Sequence, residues 1–406
     1  MSYWWRRAIP WAFSGFLFLS FALPQVWIGS KYVGPIGVAA VLLVCLVAFA
    51  LAAIVAKGKL RPRCQRLLVI GFVSLSVLAL WVIYPLANSR NAQDLGSDAD
   101  EAIHLGVRRL LAGQPPYTEL TYLDNPLTPL PGTLILYAPA QIIFGHTVWM
   151  APLLLSLTFL LIWRASAPAA SALAVAMGLS PLYWQSWSTG GDYVLLGVLA
   201  FGTTLFMITR LELLPALAAS VLLGIVCTSR PTMLLFVSAA MFGEILQGRT
   251  RRGALLTATA VGSGVLTTLP IYLWDPGGFT PLHVASKAGG VIAGALSVVL
   301  VVGWQFAVLI LLSRTRGRLD SPFRLSLLIA PTGWLMAAPP VVANSSMFLF
   351  THASFTTMMS PLALPRVKRR RARNEIYRSD RLRWAGSQLN VGAGANESPL
   401  PGDERC

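Results

Sequence analysis

From about residue 8 to residue 364 the chain is a series of apolar runs separated by short polar breaks. The runs fall at about 8–28, 36–56, 67–87, 130–145, 147–163, 167–184, 193–209, 213–229, 231–247, 253–274, 289–312, 325–343 and 346–364. Most have the length and the scarcity of charge that a helix needs to cross a hydrocarbon layer about 30 Å thick. The run at 130–145 is short and is interrupted by Pro129, Pro131, Gly132 and Pro139. The stretch before it is patterned differently. In "GSDADEAIHLGVRRLLAGQPPY", residues 96–117, Ile103, Val107, Leu110 and Leu111 share one helical flank, while Asp100, His104 and Arg108 share another. Ser97 followed by Asp100 fits an N-terminal capping box, and Gly113 supplies a stop. The spacing predicts an amphipathic helix lying at a membrane surface, acidic where it starts and basic where it ends.

Charge decides how many of the thirteen runs cross. Lys57, Lys59, Arg61, Arg63 and Arg66 mark one break as cytoplasmic, which puts residues 88–128 outside. If run 130–145 crossed, the clusters at 249–252, 314–318 and 366–373 would all be external, against the usual bias. If it stays at the outer surface, all of the 32 Lys and Arg fall inside except Lys31, Arg90, Arg108, Arg109, Arg230 and Lys287. The expected fold is therefore an all-α polytopic membrane protein of about twelve transmembrane helices with both termini cytoplasmic. Residues 1–87 make three transmembrane helices, and residues 88–146 an external loop with interfacial helices. Residues 147–365 make the rest of the bundle, and 366–406 a basic tail, expected to be disordered in the cytoplasm beside anionic lipid. The basic start "MSYWWRR" is like a signal-peptide n-region, but no small-x-small cleavage site follows it, so a retained anchor is expected.

Composition agrees: 55% of residues are hydrophobic, 12% charged, and mean hydropathy is +0.64, too apolar for a soluble domain. The net charge of +16 is spread over the breaks and the tail as membrane topology requires, so nucleic acid is not an expected partner. Cys45, Cys64, Cys227 and Cys406 show no metal or disulfide spacing.

The chain has only 16 acidic residues, yet Asp94, Asp98, Asp100, Glu101, Glu119 and Asp124 fall within one external segment. One carboxylate suffices to cap a helix. The surplus suits a general base or a cation site, and spacing alone does not choose between them. Arg230 in "CTSRPT" sits at the outer junction of two runs, either as a functional cation or as an arginine snorkelling to headgroups. His283 and Lys287 lie in the last substantial external loop. In "SPLYWQSWSTGGDY", residues 180–193, the aromatic residues including Trp187 suit a sugar ring, a polyprenyl chain or an interfacial belt, and Asp192 a polar contact or a cap.

Asp98-Ala-Asp100, then Gly113-Gln-Pro-Pro116-Tyr117, Thr121-Tyr122 and Thr128-Pro-Leu together resemble the first external loop of GT-C glycosyltransferases. These polytopic enzymes take sugars from polyprenyl-phosphate donors, and by size and layout the family GT87 of bacterial polyprenol-phosphate-mannose enzymes is the most similar branch. The motif match covers residues 96–145. The resemblance implies transfer of a sugar, mannose by analogy, to an acceptor hydroxyl on a lipid or glycan outside the cytoplasm. Asp98 or Asp100 would be the base, helped by Glu101. Arg230, Lys287 and His283 would hold the donor phosphate, and Tyr117, Tyr122, Asp124, Trp187 and Asp192 would line the substrate. A divalent cation, if used, would sit at Asp98 and Asp100. Two other readings stand beside this one: a lipid or solute transporter, and a non-catalytic GT-C relative.

Overall fold

The computed structural model describes residues 3–30, 34–89, 97–282, 290–314, 321–336 and 354–364. Asp94, His283, Lys287 and the tail 366–406 lie outside the described residues. The described chain is 82% helical and contains no strand, so the all-α class holds. In order, the helices are α1 (Tyr3–Ser30), α2 (Pro35–Ala56), α3 (Pro62–Asn88), α4 (Ala99–Leu111), α5 (Pro131–Phe144), α6 (Met150–Ala165) and α7 (Ala167–Gly178). They continue with α8 (Pro181–Ser188), α9 (Tyr193–Thr209), α10 (Leu213–Cys227), α11 (Leu235–Ile245), α12 (Thr250–Trp274), α13 (Gly290–Arg314) and α14 (Ser321–Ile329).

Among the described residues six helical segments are long and apolar enough to cross a membrane: Ala12–Ser30, Ile36–Ala56, Pro62–Asn88, Thr147–Ala165, Thr250–Trp274 and Ala295–Ser313. Their outer faces stay apolar. Leu67, Leu78, Val82 and Leu86 on α3, and Leu266 and Leu273 on α12, are exposed in a way that water would penalise and lipid would not. The chain is a membrane protein. The centre of the bundle is α9, nearly all of whose residues are buried.

Proline and glycine set the breaks. Pro35, Pro62 and Pro131 each open a helix at its first turn, where a missing N–H costs nothing. Gly145, at φ 72°, closes α5. Pro181 interrupts what the apolar pattern reads as one run at 167–184, and the Ser180 hydroxyl accepts from the Tyr183 N–H at 3.0 Å to start α8. Together α7 and α8 still follow α3 for its length: Ser171 donates to Gln65 O, Tyr183 to Ser76 Oγ, and Gly190 abuts Tyr84.

The polar breaks sort into two ends of the bundle. At one, Gly58 abuts Pro168, Arg210 donates to Arg164 O, Arg249 to Ile208 O, and Arg252 to Arg210 O. Glu244 is fully buried there between Arg249 (2.8 Å) and Arg252 (3.0 Å). The opposite end carries α4, α5 and the turn 189–192. Both termini of α5 are at this end. Leu130 and Gly132 donate to Ser229 O and Thr228 O at its start, while His146, just past its finish, stacks on His104. Helix α5 thus lies across the end of the bundle instead of through it, consistent with its length of about 21 Å.

That seat depends on the absence of a side chain at Gly132, where a Cβ would fall on the carbonyl oxygen of Ile225 and the backbone of Thr228. Gly132→Ala is expected to lower stability by about 1–3 kcal/mol, read as a lower melting temperature of the purified protein in detergent.

Candidate functional site

Helix α4 starts at Ala99, with Asp98 at the N-cap and Asp100 and Glu101 in the first turn. Its apolar flank follows the periodicity for most of its length: Ile103 and Val107 are buried, Leu110 is half-buried and Leu111 is exposed, and Gly106 allows Leu134 of α5 to approach. The capping box does not form. The Ser97 hydroxyl accepts only from the Ala99 N–H, at 3.4 Å, and Asp98 makes no side-chain cap. The carboxylates are engaged elsewhere by better-placed donors.

Those donors come largely from a tight reversal at residues 120–126, where Thr121 N–H donates to Asn125 O and Asp124 N–H to Thr121 O. Asp124 sits at its tip with φ 56°, a conformation Asp tolerates better than most residues, and its side chain is exposed. Asp98 Oδ2 accepts from Thr121 Oγ1 at 2.7 Å and from Asn125 Nδ2 at 2.8 Å, and Glu101 Oε2 accepts from Tyr122 N–H at 2.8 Å. At the far end of α4, Glu119 receives Arg109 (2.7 Å) and Arg108 (3.1 Å), and the Arg109 bond holds its carboxyl below the usual range. Four of the clustered carboxylates therefore belong to the folding of the loop, three tying residues 115–126 back along α4 and Asp124 forming its turn.

Asp100 is the exception. It is 6% exposed and points into the bundle, where Tyr84 of α3 donates to its Oδ2 at 2.6 Å. The turn after α8 closes over it. Gly190 has φ +64°, and a Cβ there would lie 2.6 Å from Asp100 Cβ and 3.3 Å from Tyr84 Cε2. Only glycine fits this approach. Burial pushes the Asp100 carboxyl above the ordinary carboxylate range, while the Tyr84 hydrogen bond opposes that rise. His104, one turn along α4, stacks on His146 at 4.7 Å, and His146 meets Tyr84 edge-on at 5.9 Å. Burial lowers the proton affinity of both imidazoles, and His146 further opposes a charge on His104.

Two residues beyond Gly190, where α8 and α9 meet at 112°, lies Asp192. It is fully buried and paired with Arg230, itself 4% exposed. Arg230 Nη2 lies 2.7 Å from Asp192 Oδ1 and Nε 3.3 Å from Oδ2, a two-pronged contact, and its guanidinium covers the Tyr193 ring at 4.2 Å. Thr133 of α5 donates to Asp192 Oδ2 at 3.2 Å, and Arg230 Nη1 donates to Thr128 Oγ1 at 3.4 Å. Arg230 is therefore neither snorkelling nor facing open water.

The remaining residues singled out from the sequence are scattered. Tyr117 is buried, donates to Pro129 O at 2.9 Å and packs edge-on against Phe279. Trp187 is buried, stacks on Tyr183 and gives its N–H to Ser76 O at 2.7 Å, so its ring is an interior wall. Tyr122 is half-buried in the reversal. Asp98 and Asp100 turn to separate donors, and among the described residues no three His, Cys, Asp or Glu gather in a metal-holding group. The sequence pattern did not single out Tyr84, His146, Gly190 or Thr133. Each gains its place through a partner far along the chain.

No family model, curated protein or solved structure matches this chain.

Proposed function

We propose that the protein is an integral-membrane glycosyltransferase of the GT-C kind. It moves a sugar, mannose by the resemblance of its first loop, from a polyprenyl-phosphate donor to an acceptor hydroxyl on a lipid or glycan, on the extracytoplasmic face. The observation that carries this reading is Asp100: a buried carboxylate at the carboxylate-rich end of a membrane bundle, with its proton affinity raised by burial.

Breaking the bond between a sugar and a lipid phosphate releases a stable anion, so no protonating acid is needed. The acceptor hydroxyl must lose a proton, and a carboxylate with raised proton affinity suits that task. In this reading α1, α2, α3, α6, α7 with α8, α9, α10, α11, α12 and α13 each cross once. The other two of the twelve proposed crossings, at 325–343 and 346–364, fall only partly within the described residues. The basic end is in the cytoplasm and α4 and α5 are at the outer surface. In this reading Arg230, held by Asp192, is also the cation for the donor phosphate; Lys287 and His283, which the resemblance adds to that site, lie outside the described residues. A divalent cation at Asp98 and Asp100 would replace the Thr121, Asn125 and Tyr84 donors, and chelator treatment of the transfer reaction tests for one.

A transporter is the second reading. It is favoured by the buried Asp192–Arg230 pair at a helix bend and by the interruption of α7 and α8 at Leu179–Ser180. Purified protein in vesicles, given radiolabelled polyprenyl-phosphate-mannose and a membrane lipid extract, separates the readings. Label in a new product supports the transferase, label moved across the bilayer unchanged supports the transporter, and binding with neither supports a non-catalytic relative.

A further inference from the structure

Resting on the transferase reading, we propose that Tyr84 is a positioning residue, which holds the Asp100 carboxylate in place from α3 and keeps it ionised for its work as a base. The two side chains come from different elements and are both buried, with the phenol hydroxyl 2.6 Å from Oδ2. A hydroxyl donating to a carboxylate favours its charged form. The backbone N–H groups of Asp100 and Glu101 favour it as well, from the first turn of its own helix. Of the groups facing Asp100, Glu101 on its own helix opposes ionisation. His104 on α4 and His146 on the link to α6 have their charged forms disfavoured by burial. The α8–α9 turn contributes the uncharged Gly190.

The tyrosine ring is also confined. The Gly190 backbone lies against its Cε2 edge, and His146 meets it edge-on, so the hydroxyl is aimed by packing from two further elements. Gly190 being unable to carry a side chain is then part of the same arrangement, since a Cβ there would press on both members of the pair.

The test reads protonation of Asp100 directly. A hydrophobic carbodiimide reacts with protonated carboxyl groups, and the labelled peptide is quantified by mass spectrometry across pH for the full-length wild type and Tyr84→Phe. Loss of the hydroxyl is expected to move the midpoint for Asp100 upward by about 1 pH unit, and the acid limb of sugar transfer with it. Site-specific 3-fluorotyrosine at position 84, a stronger donor of nearly the same shape, is expected to move both downward and keeps the test alive if the phenylalanine variant misfolds. Equal midpoints in folded wild-type and substituted protein would overturn the proposal. A shifted midpoint without any transfer by the wild type would leave the Tyr84–Asp100 coupling standing and overturn the transferase reading beneath it.

Discussion

Asp192→Ala is expected to destabilise the protein by about 3–5 kcal/mol, seen as aggregation on extraction or a large fall in melting temperature. The substitution leaves Arg230 4% exposed with its counter-ion gone, and with no charged partner in place of it among Thr128 and the rings of Tyr193 and Tyr137. A desolvated guanidinium in that state costs far more than a lost surface pair, where the effect is about 0–1 kcal/mol. Thr133 would also lose its acceptor on Asp192, loosening α5 from the α8–α9 turn. Removing both charges in Asp192→Leu/Arg230→Met is expected to recover most of the loss, because no unpaired charge is left behind. If single and double variants melt alike, the pair is not what holds this corner together.

Asp100→Asn is expected to reduce sugar transfer by about 10²–10⁴-fold while leaving the fold intact. The amide keeps the shape of the carboxylate, and its oxygen still accepts from Tyr84, but it cannot take a proton from the acceptor. Asp98→Asn keeps an oxygen that can accept from both Thr121 and Asn125, so a loss of about tenfold or less is expected. The pH profile has a defined sign. Burial raises the affinity of Asp100 for its proton, so transfer in the wild type should fail on the acid side at a pH above the usual aspartate value of about 3.9. It should be regained as the pH rises.

The apolar pattern carried most of the architecture, because helix formation in lipid depends on local runs that a sequence displays. The brevity of α5 was legible too, since Pro129 and Pro131 precede and open it and Pro139 lies within it. What failed was the capping box at the start of α4. Ser97 and Asp100 have capping-box spacing, but Tyr84 on another helix competes for Asp100, and Thr121 and Asn125 compete for Asp98. Spacing along one helix cannot anticipate donors that arrive from elsewhere. The same limit applies to Asp192 and Arg230. Both were conspicuous as charges at the ends of apolar runs, yet they stand 38 positions apart and nothing between them announces that they pair. Tyr84 is harder still, since a tyrosine at the end of an apolar helix ordinarily reads as part of an interfacial belt. Gly190 looked like turn punctuation, and its closeness to Asp100 exists only once α4 and the α8–α9 turn are folded together.

The most direct measurement is transfer of radiolabelled mannose from polyprenyl phosphate to a membrane lipid extract, by wild type and Asp100→Asn reconstituted in the same vesicles with matched melting temperatures. A labelled product is expected from the wild type, and at least about a hundredfold less from Asp100→Asn. Equal transfer by the two proteins would contradict it, and would return Asp100 to the company of the carboxylates that merely fold the loop.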